Sequence, residues 1–177
     1  RTIALWEPPL TTVTGENAAP VRRTAGAESA RIMADLLVEG ARTLTFVSSR
    51  RGAESTARAT ARLLAEVDPA LAGRVAAYRA GYLPEDRRKL EADLSDGTLW
   101  GAATTNALEL GVDIVGLDAV VVAGFPGTIA SFWQQAGRSG RRGQGSLILL
   151  IARDATGGAP IADRFLQMSR GSRRADA

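Results

Sequence analysis

The segment from Gln134 to Gly143 places three arginines among glycines, and two of them, Arg138 and Arg141, are spaced in a way suited to phosphoryl chemistry. Arg138 and Arg141 would share one face if the helix predicted to begin at Ile129 continued through the segment. Glycines such as Gly137 would let a phosphate come close to the backbone. Two fixed guanidinium groups can stabilise the charge that develops on a transferred phosphoryl group. A solvated Gly/Arg-rich surface turn would have the same composition.

A second segment, Thr104 to Asp113, combines hydroxyl groups with a carboxylate. Thr105 and Asn106 follow a predicted strand, and hydroxyl groups beside free backbone N–H groups at a helix start can hold a strand phosphate. Gly111 and Asp113 place one carboxylate after a turn, where it could accept hydrogen bonds from a ribose. Simple N-capping by Thr105 and a turn aspartate explain the same residues without any ligand.

Further polar clusters follow other predicted strands. Ser48, Ser49 and Arg50 come after one apolar run and could hold a backbone phosphate or cap the next helix. Arg79 follows a second run, and the segment 124–127 (Gly-Phe-Pro-Gly) follows a third. Ligands of parallel α/β sheets bind at the carboxyl ends of the strands. These clusters therefore predict a ligand-binding site at the carboxyl edge of the sheet.

The hydrophobic pattern alternates strands with amphipathic helices, which indicates right-handed βαβ units and a parallel sheet. We predict an α/β three-layer sandwich with a mainly parallel central sheet. The predicted strands are Ile3–Trp6, Leu44–Val47, Val75–Tyr78, Leu99–Ala103, Ala119–Ala123 and Ser146–Ala152. The predicted helices are Ala27–Glu39, Ala53–Val67, Pro84–Leu94 and one that begins at Ile129. The rest of residues 1–26 is predicted to be an irregular connector.

The composition of the 177 residues excludes several kinds of chemistry. The chain has no cysteine and no histidine, so disulfides, Cys or His catalysis and the commonest zinc sites are excluded. Its net charge is +3, and Lys89 is the sole lysine, so a Gly-Lys-Thr phosphate loop is absent. No apolar run reaches about 18 residues, so we expect no membrane span.

Taken together, the three segments resemble motifs IV, V and VI of superfamily 2 helicases. The run from Tyr78 to Arg87 resembles the block between them, although many relatives carry histidine where this chain has Arg79. The amino-acid sequence of residues 107–114 and 124–135 is similar to that of the YprA/Hrq-type DNA helicases, which are linked to DNA repair. Gln134-Gln135, in place of His-Arg, favours DNA over RNA.

This resemblance implies a RecA-like fold and roles for the candidate residues. Arg138 and Arg141 would be arginine fingers at the γ-phosphate of ATP, and Gln134 would orient around that phosphate. Gly111, Asp113 and Gly137 would complete the nucleotide site. The residues that would hold the strand are Ser48, Ser49, Arg50, Arg79, Thr105 and Asn106.

The resemblance also implies partners. ATP and Mg²⁺ would be bound mainly by a first RecA-like motor domain of the same polypeptide, so this chain alone should have negligible ATPase activity. The nucleic acid would be single-stranded or forked DNA, and the location cytoplasmic, at the nucleoid in a bacterium. Residues 27–165 would form the motor domain, after an initial strand and connector (1–26) and before an Arg-rich tail (166–177). Because the chain starts at Arg1, we expect it to be part of a larger helicase.

Three alternatives remain open on the sequence. The chain could belong to an RNA helicase or to a double-stranded DNA translocase that does not unwind. It could also be a non-catalytic RecA-like nucleic-acid-binding module.

Overall fold

The central feature of the fold is a sheet of parallel strands. A computed structural model of the protein describes residues 1–78, 81–105, 114, 117–140 and 144–152. Within these residues, six parallel strands form one sheet in the order β1-β8-β7-β4-β6-β5. They are β1 (Thr2–Trp6), β4 (Thr43–Phe46), β5 (Val75–Tyr78), β6 (Gly101–Thr104), β7 (Ala119–Ala123) and β8 (Leu147–Ile151). The helices are α1 (Ala25–Val38), α2 (Arg50–Val67), α3 (Pro84–Asp96) and α4 (Ile129–Ala136).

Helices cover both faces of this sheet, as the alternation along β7 makes clear. Val120 and Val122 belong to a buried cluster with Phe132 of α4. Val121, between them, belongs to a different cluster with Ala25 of α1. Successive side chains of a strand point to opposite faces, so the sheet is buried on both sides. The predicted α/β sandwich with its parallel sheet is confirmed.

Helix α1 packs closely against the sheet at Gly101, the first residue of β6. A Cβ atom at this position would lie 2.7 Å from Cε of Met33 and 2.9 Å from the carbonyl oxygen of Thr43. Both distances are shorter than van der Waals contact, and the second involves backbone that cannot move aside easily. A side chain at Gly101 would therefore have to displace Met33 of α1 and would meet the backbone of the neighbouring strand β4.

A buried carboxylate joins β1 to the start of α1. Glu28 is 4% exposed, and its two oxygens accept hydrogen bonds from the indole Nε1 of Trp6 (2.9 Å) and from Arg23 (2.6 Å). A buried carboxylate is tolerated because it is paired and hydrogen-bonded in this way. This cluster could not be predicted from the sequence, because nothing in the spacing of Trp6 and Glu28 indicates that they meet.

The predicted connector within residues 1–26 is wrong in part, because it contains a hairpin. Strands β2 (Leu10–Thr14) and β3 (Pro20–Arg22) pair antiparallel. The hydroxyl of Thr11 donates to the carbonyl oxygen of Val21 at 2.8 Å, and Arg22 donates to that of Pro8 at 2.9 Å. The prolines suggested irregular structure, but Pro20 lies at the first position of its strand, where it is tolerated.

The helix predicted from Ile129 is present, but it does not continue through the arginine segment, so the condition for Arg138 and Arg141 to share a helical face is not met. Helix α4 ends at Ala136, and Gly137 caps it by donating to the carbonyl oxygen of Trp133 at 2.8 Å. The hydroxyl of Ser139 donates to the carbonyl oxygen of Ala136 at 2.8 Å. Such bonds satisfy the carbonyl groups that a helix end leaves without partners.

The remaining predicted elements are present with boundaries shifted by a few residues. No helix of the described residues is long and apolar enough to cross a bilayer.

Candidate nucleic-acid interface

A cavity of about 570 Å³ opens at the carboxyl ends of β4, β6 and β7. Its apolar part comes from the strand ends and the segment after β7, with Phe46, Val122 and Pro126 among the lining residues. Its polar part includes Ser48, Ser49, Arg50, Thr105 and Gln135. The four predicted strand-contact residues that the structure describes thus lie around one opening. This arrangement suits a ligand with both apolar and anionic parts.

The start of α2 supplies the positive charge at this cavity. The hydroxyl of Ser49 accepts a hydrogen bond from the backbone N–H of Gly52 at 3.0 Å, so Ser49 is the N-cap of the helix. Arg50 is exposed beside it, and the first turn contains no acidic residue. The helix dipole makes an N-terminus favourable for anions and unfavourable for cations. An arginine at this place costs stability but strengthens binding of an anion such as phosphate.

The segment after β7 forms the opposite wall of the cavity. Gly124 has φ +87° and donates from its backbone N–H to the carbonyl oxygen of Ile151 at 2.9 Å. A positive φ of this size favours glycine, so the turn depends on this residue. Phe125 and Pro126 follow and line the cavity. Thr128 then caps α4 by accepting from the N–H of Ser131 at 3.0 Å.

Gln135, which was not among the predicted site residues, contributes to the cavity from α4. It is 1% exposed, whereas Gln134, the residue predicted to orient around the γ-phosphate, is exposed. The signal was present in the periodicity of the helix, since Gln135 lies three residues after the buried Phe132. A buried amide at a ligand cavity can donate and accept hydrogen bonds at once.

Arg138 lies in the turn that follows α4, apart from the cavity wall. Its backbone N–H donates to the carbonyl oxygen of Gln135 at 3.2 Å, and its side chain is half-buried. Gly140 donates to the carbonyl oxygen of Leu117 at 2.9 Å, which fixes the turn beside the start of β7. The backbone under Arg138 is therefore held at two points. A guanidinium group on such a support is suited to bind an anion in a defined position.

Gly137 has a structural role in this turn. A Cβ atom here would lie 3.1 Å from the carbonyl oxygen of Trp133, a tight contact that glycine avoids. The other predicted site residues, Arg79, Asn106, Gly111, Asp113 and Arg141, lie outside the described residues.

Tyr78 is the last residue of β5 and contacts helix α3. It precedes Arg79, a predicted strand-binding residue, in the sequence. It is 3% exposed, and its hydroxyl donates to Oε1 of Glu91 at 2.8 Å. Burial, followed by the hydrogen bond to Glu91 and the charge of that carboxylate, raises the pKa of Tyr78 to about 12. The pair anchors α3 to this end of the sheet.

The raised pKa of Tyr78 predicts a loss of stability in alkali. Its contribution is fully present below the unfolded pKa of about 10 and is lost as the pH rises toward about 12, which reduces the free energy of unfolding by roughly 2 to 3 kcal/mol. Urea unfolding across this pH range measures the loss. Tyr78→Phe should flatten the profile, whereas Tyr82→Phe, which removes the same atom from the second tyrosine, should keep it. Equal profiles for the two variants would contradict the assignment.

Comparison with known proteins places these features in a family. Residues 28–143 match the helicase conserved C-terminal domain. The chain is 43% identical over 129 residues to the ATP-dependent helicase HRQ1 of Saccharomyces cerevisiae, which covers 72% of this chain. It is 41% identical over 132 residues to the uncharacterized ATP-dependent helicase YprA of Bacillus subtilis, which covers 75% of it. The matched regions make up 12% and 17% of these two relatives.

A solved structure is similar over nearly the whole chain. The DUF1998 helicase MrfA, bound to DNA and AMPPNP, superposes with a TM-score of 0.77 at 35% identity. The superposition covers 94% of this chain and 22% of that one. The present chain thus corresponds to about a fifth of that much longer polypeptide.

Proposed function

This chain belongs to the helicase conserved C-terminal domain family, and from that membership we propose that it is the second motor domain of an ATP-dependent DNA helicase. The observation that carries the proposal is the cavity at the carboxyl edge, where Ser49, Arg50 and Thr105 border an apolar floor. The motor domain comprises residues 27–165, followed by an Arg-rich tail at 166–177. The proposed role is in DNA repair, in the cytoplasm or at the nucleoid.

The cavity grips the backbone of the tracking strand. Arg50 and the N-terminus of α2 attract a phosphate, and the hydroxyl groups of Ser48 and Thr105 add neutral hydrogen bonds. The apolar floor accommodates the sugar or base that accompanies this phosphate. Contacts of this type give affinity without sequence specificity, which a translocating motor requires. Arg79 and Asn106 extend the same contact in the proposal.

ATP binds between this domain and a first RecA-like domain of the same polypeptide. Arg138 and Arg141 act as arginine fingers on the γ-phosphate, and Gln134 orients around it. Gly111, Asp113 and Gly137 complete the nucleotide site. The Mg²⁺ ligands, like most of the ATP contacts, are assigned in this proposal to the first motor domain.

The motor cycle follows from this division of roles. The two domains close over ATP, hydrolysis releases the γ-phosphate contact, and the domains reopen. If the strand is held alternately by the two domains, each cycle advances it. In this cycle, the present chain supplies the arginine fingers at the ATP site and the phosphate-binding cavity at the nucleic-acid strand. The close relation to DNA-bound MrfA supports DNA over RNA as the strand.

Replacement of Arg50 tests the strand contact. We expect Arg50→Gln to weaken binding of a fluorescein-labelled DNA single strand and to lower the slope of log K against log salt by about 0.7, the loss of one phosphate contact. Fluorescence anisotropy of the 177-residue chain across a salt series gives both values.

Arg31→Gln is the matched control, because Arg31 is exposed on α1 and its loss changes the net charge equally. An equal slope change in both variants would mean that the strand does not bind at the cavity. A parallel titration with an RNA strand of the same length separates the DNA assignment from that of an RNA helicase. Tighter binding of RNA would overturn the DNA assignment.

A further inference from the structure

The outward face of α2 carries a row of arginines that the proposed motor function does not use. Arg51, Arg58 and Arg62 are all exposed, and we refer to them as the α2 arginine face. Their spacing of seven and four residues places them on one side of the helix. The buried residues of α2, such as Ala53 and Leu64, lie on the opposite side.

The charge of this helix differs from that of its neighbours. Helix α2 contains four arginines and two glutamates, whereas α1 contains one arginine and two acidic residues. Helix α3 contains three basic and five acidic residues. Positive charge on the long helices is thus concentrated on α2.

Stability of the helix does not account for these arginines. Arg51 lies in the first turn, where the helix dipole disfavours a cation. Arg58 and Arg62 are four residues apart, and like charges at this spacing repel. Glu54 and Glu66 are four residues from Arg58 and Arg62, yet none of the three arginines forms an ion pair with another described residue. The guanidinium groups remain available to an external anion.

The face is continuous with the cavity. Arg50, which lines the cavity, is the neighbour of Arg51, which begins the face. From Arg51 to Arg62 the helix rises about 16 Å, with about 6 Å between Arg58 and Arg62. A row of cations of this length fits a polymer of regularly spaced phosphates better than a single small anion.

We propose that the α2 arginine face binds the phosphate backbone of nucleic acid beyond the segment held in the cavity. This inference rests on the proposed function for the identity of the polymer. The phosphates come either from the same strand as it leaves the cavity or from the complementary strand at a fork. The contact raises affinity and does not depend on the base sequence.

The test compares two double variants of the 177-residue chain by fluorescence anisotropy across a salt series. Arg58→Gln/Arg62→Gln removes two charges from the face. Arg31→Gln/Arg88→Gln removes two charges from exposed positions on α1 and α3. All four positions are exposed, so both variants should fold, and equal thermal midpoints verify this. The probes are DNA single strands of about 4 and about 16 nucleotides and a forked duplex.

We expect the face variant to lower the slope of log K against log salt by about 1.4 on the longer single strand, or by about 1.8 if it contacts duplex. Binding of the short strand should be unchanged. A loss on the long single strand assigns the phosphates to the same strand, and a loss on the fork alone assigns them to the complementary strand. An unchanged slope on both long probes, or an equal loss in the control variant, would overturn the proposal.

The outcome is separable from that of the proposed function. If Arg50→Gln leaves the binding of every probe unchanged while the face variant weakens it, the cavity assignment fails and the face stands. If Arg50→Gln weakens binding and the face variant does not, the cavity assignment stands and the proposal for the α2 arginine face fails. If the chain binds none of the DNA probes, both assignments fail.

Discussion

Replacement of Arg138 by alanine is expected to lower ATP turnover by about 10³- to 10⁵-fold in a polypeptide that contains both motor domains. The reason is geometric as well as electrostatic. The turn under Arg138 is fixed by hydrogen bonds to the carbonyl oxygens of Gln135 and Leu117. A guanidinium group on a fixed backbone has less conformational freedom to lose when it meets the charge of the transition state than one on an unsupported loop. Binding of ATP, which depends mainly on the first domain, should change little.

DNA-stimulated ATPase assays and binding of a fluorescent ATP analogue separate these two effects. Arg138→Lys keeps the charge but not the planar fork, so it should recover only part of the activity. Arg31→Ala, at an exposed position on α1, is the control for loss of an arginine. Normal turnover by Arg138→Ala would make this residue structural or a DNA contact.

The parallel sheet could be predicted because its central strands are buried on both faces. Ala119–Ala123 and Leu147–Ile151 are continuous apolar runs, which amphipathic edge strands and helices rarely contain. The cavity could be predicted for the same reason. Once the strands are parallel, residues that follow them, such as Ser49 and Thr105, must meet at one edge.

The hairpin of β2 and β3 was missed although its strands are joined by only five residues, because Gly15 and Pro20 indicate irregular structure as readily as a turn and the start of a strand. The sequence left the end of α4 open for a local reason. Gly137 still has helical backbone angles, and the chain leaves the helix just after it, where the hydroxyl of Ser139 donates to the carbonyl oxygen of Ala136 and Gly140 has φ +91°. This end places Arg138 on a turn, so no helical face orients it.

The contribution of Gln135 to the cavity was missed because polar residues on a helix are usually assigned to its solvent-facing side. In α4 the buried positions Phe132, Gln135 and Ala136 form one face. Gln134 is exposed on the same helix. Two adjacent glutamines therefore have different surroundings, and the spacing of Gln135 from Phe132 is the sequence signal that distinguishes them.

Packing at Phe132 determines whether α4 can position the residues that follow it. This side chain is fully buried in a cluster with Phe46, Val122 and Ile148, and its ring meets that of Trp133 edge to face at 5.4 Å. We expect Phe132→Ala to reduce the free energy of unfolding by about 3 to 5 kcal/mol, from lost burial and the cavity left behind. For a chain of this size the thermal midpoint should fall by about 6 to 20 °C.

Leu83→Ala is the matched control for Phe132→Ala, because it also truncates an apolar side chain but at a position that is 66% exposed. Thermal and urea unfolding of both variants measure the difference. Phe132→Leu should give an intermediate loss, since it refills part of the cavity. Because Phe132 does not contact ATP in our proposal, its leucine variant should retain turnover within about tenfold well below its midpoint, unlike Arg138→Ala. Equal destabilisation by the Phe132 and Leu83 truncations would mean that α4 is not anchored through this ring, and the support proposed for Arg138 would then have to come from the turn alone.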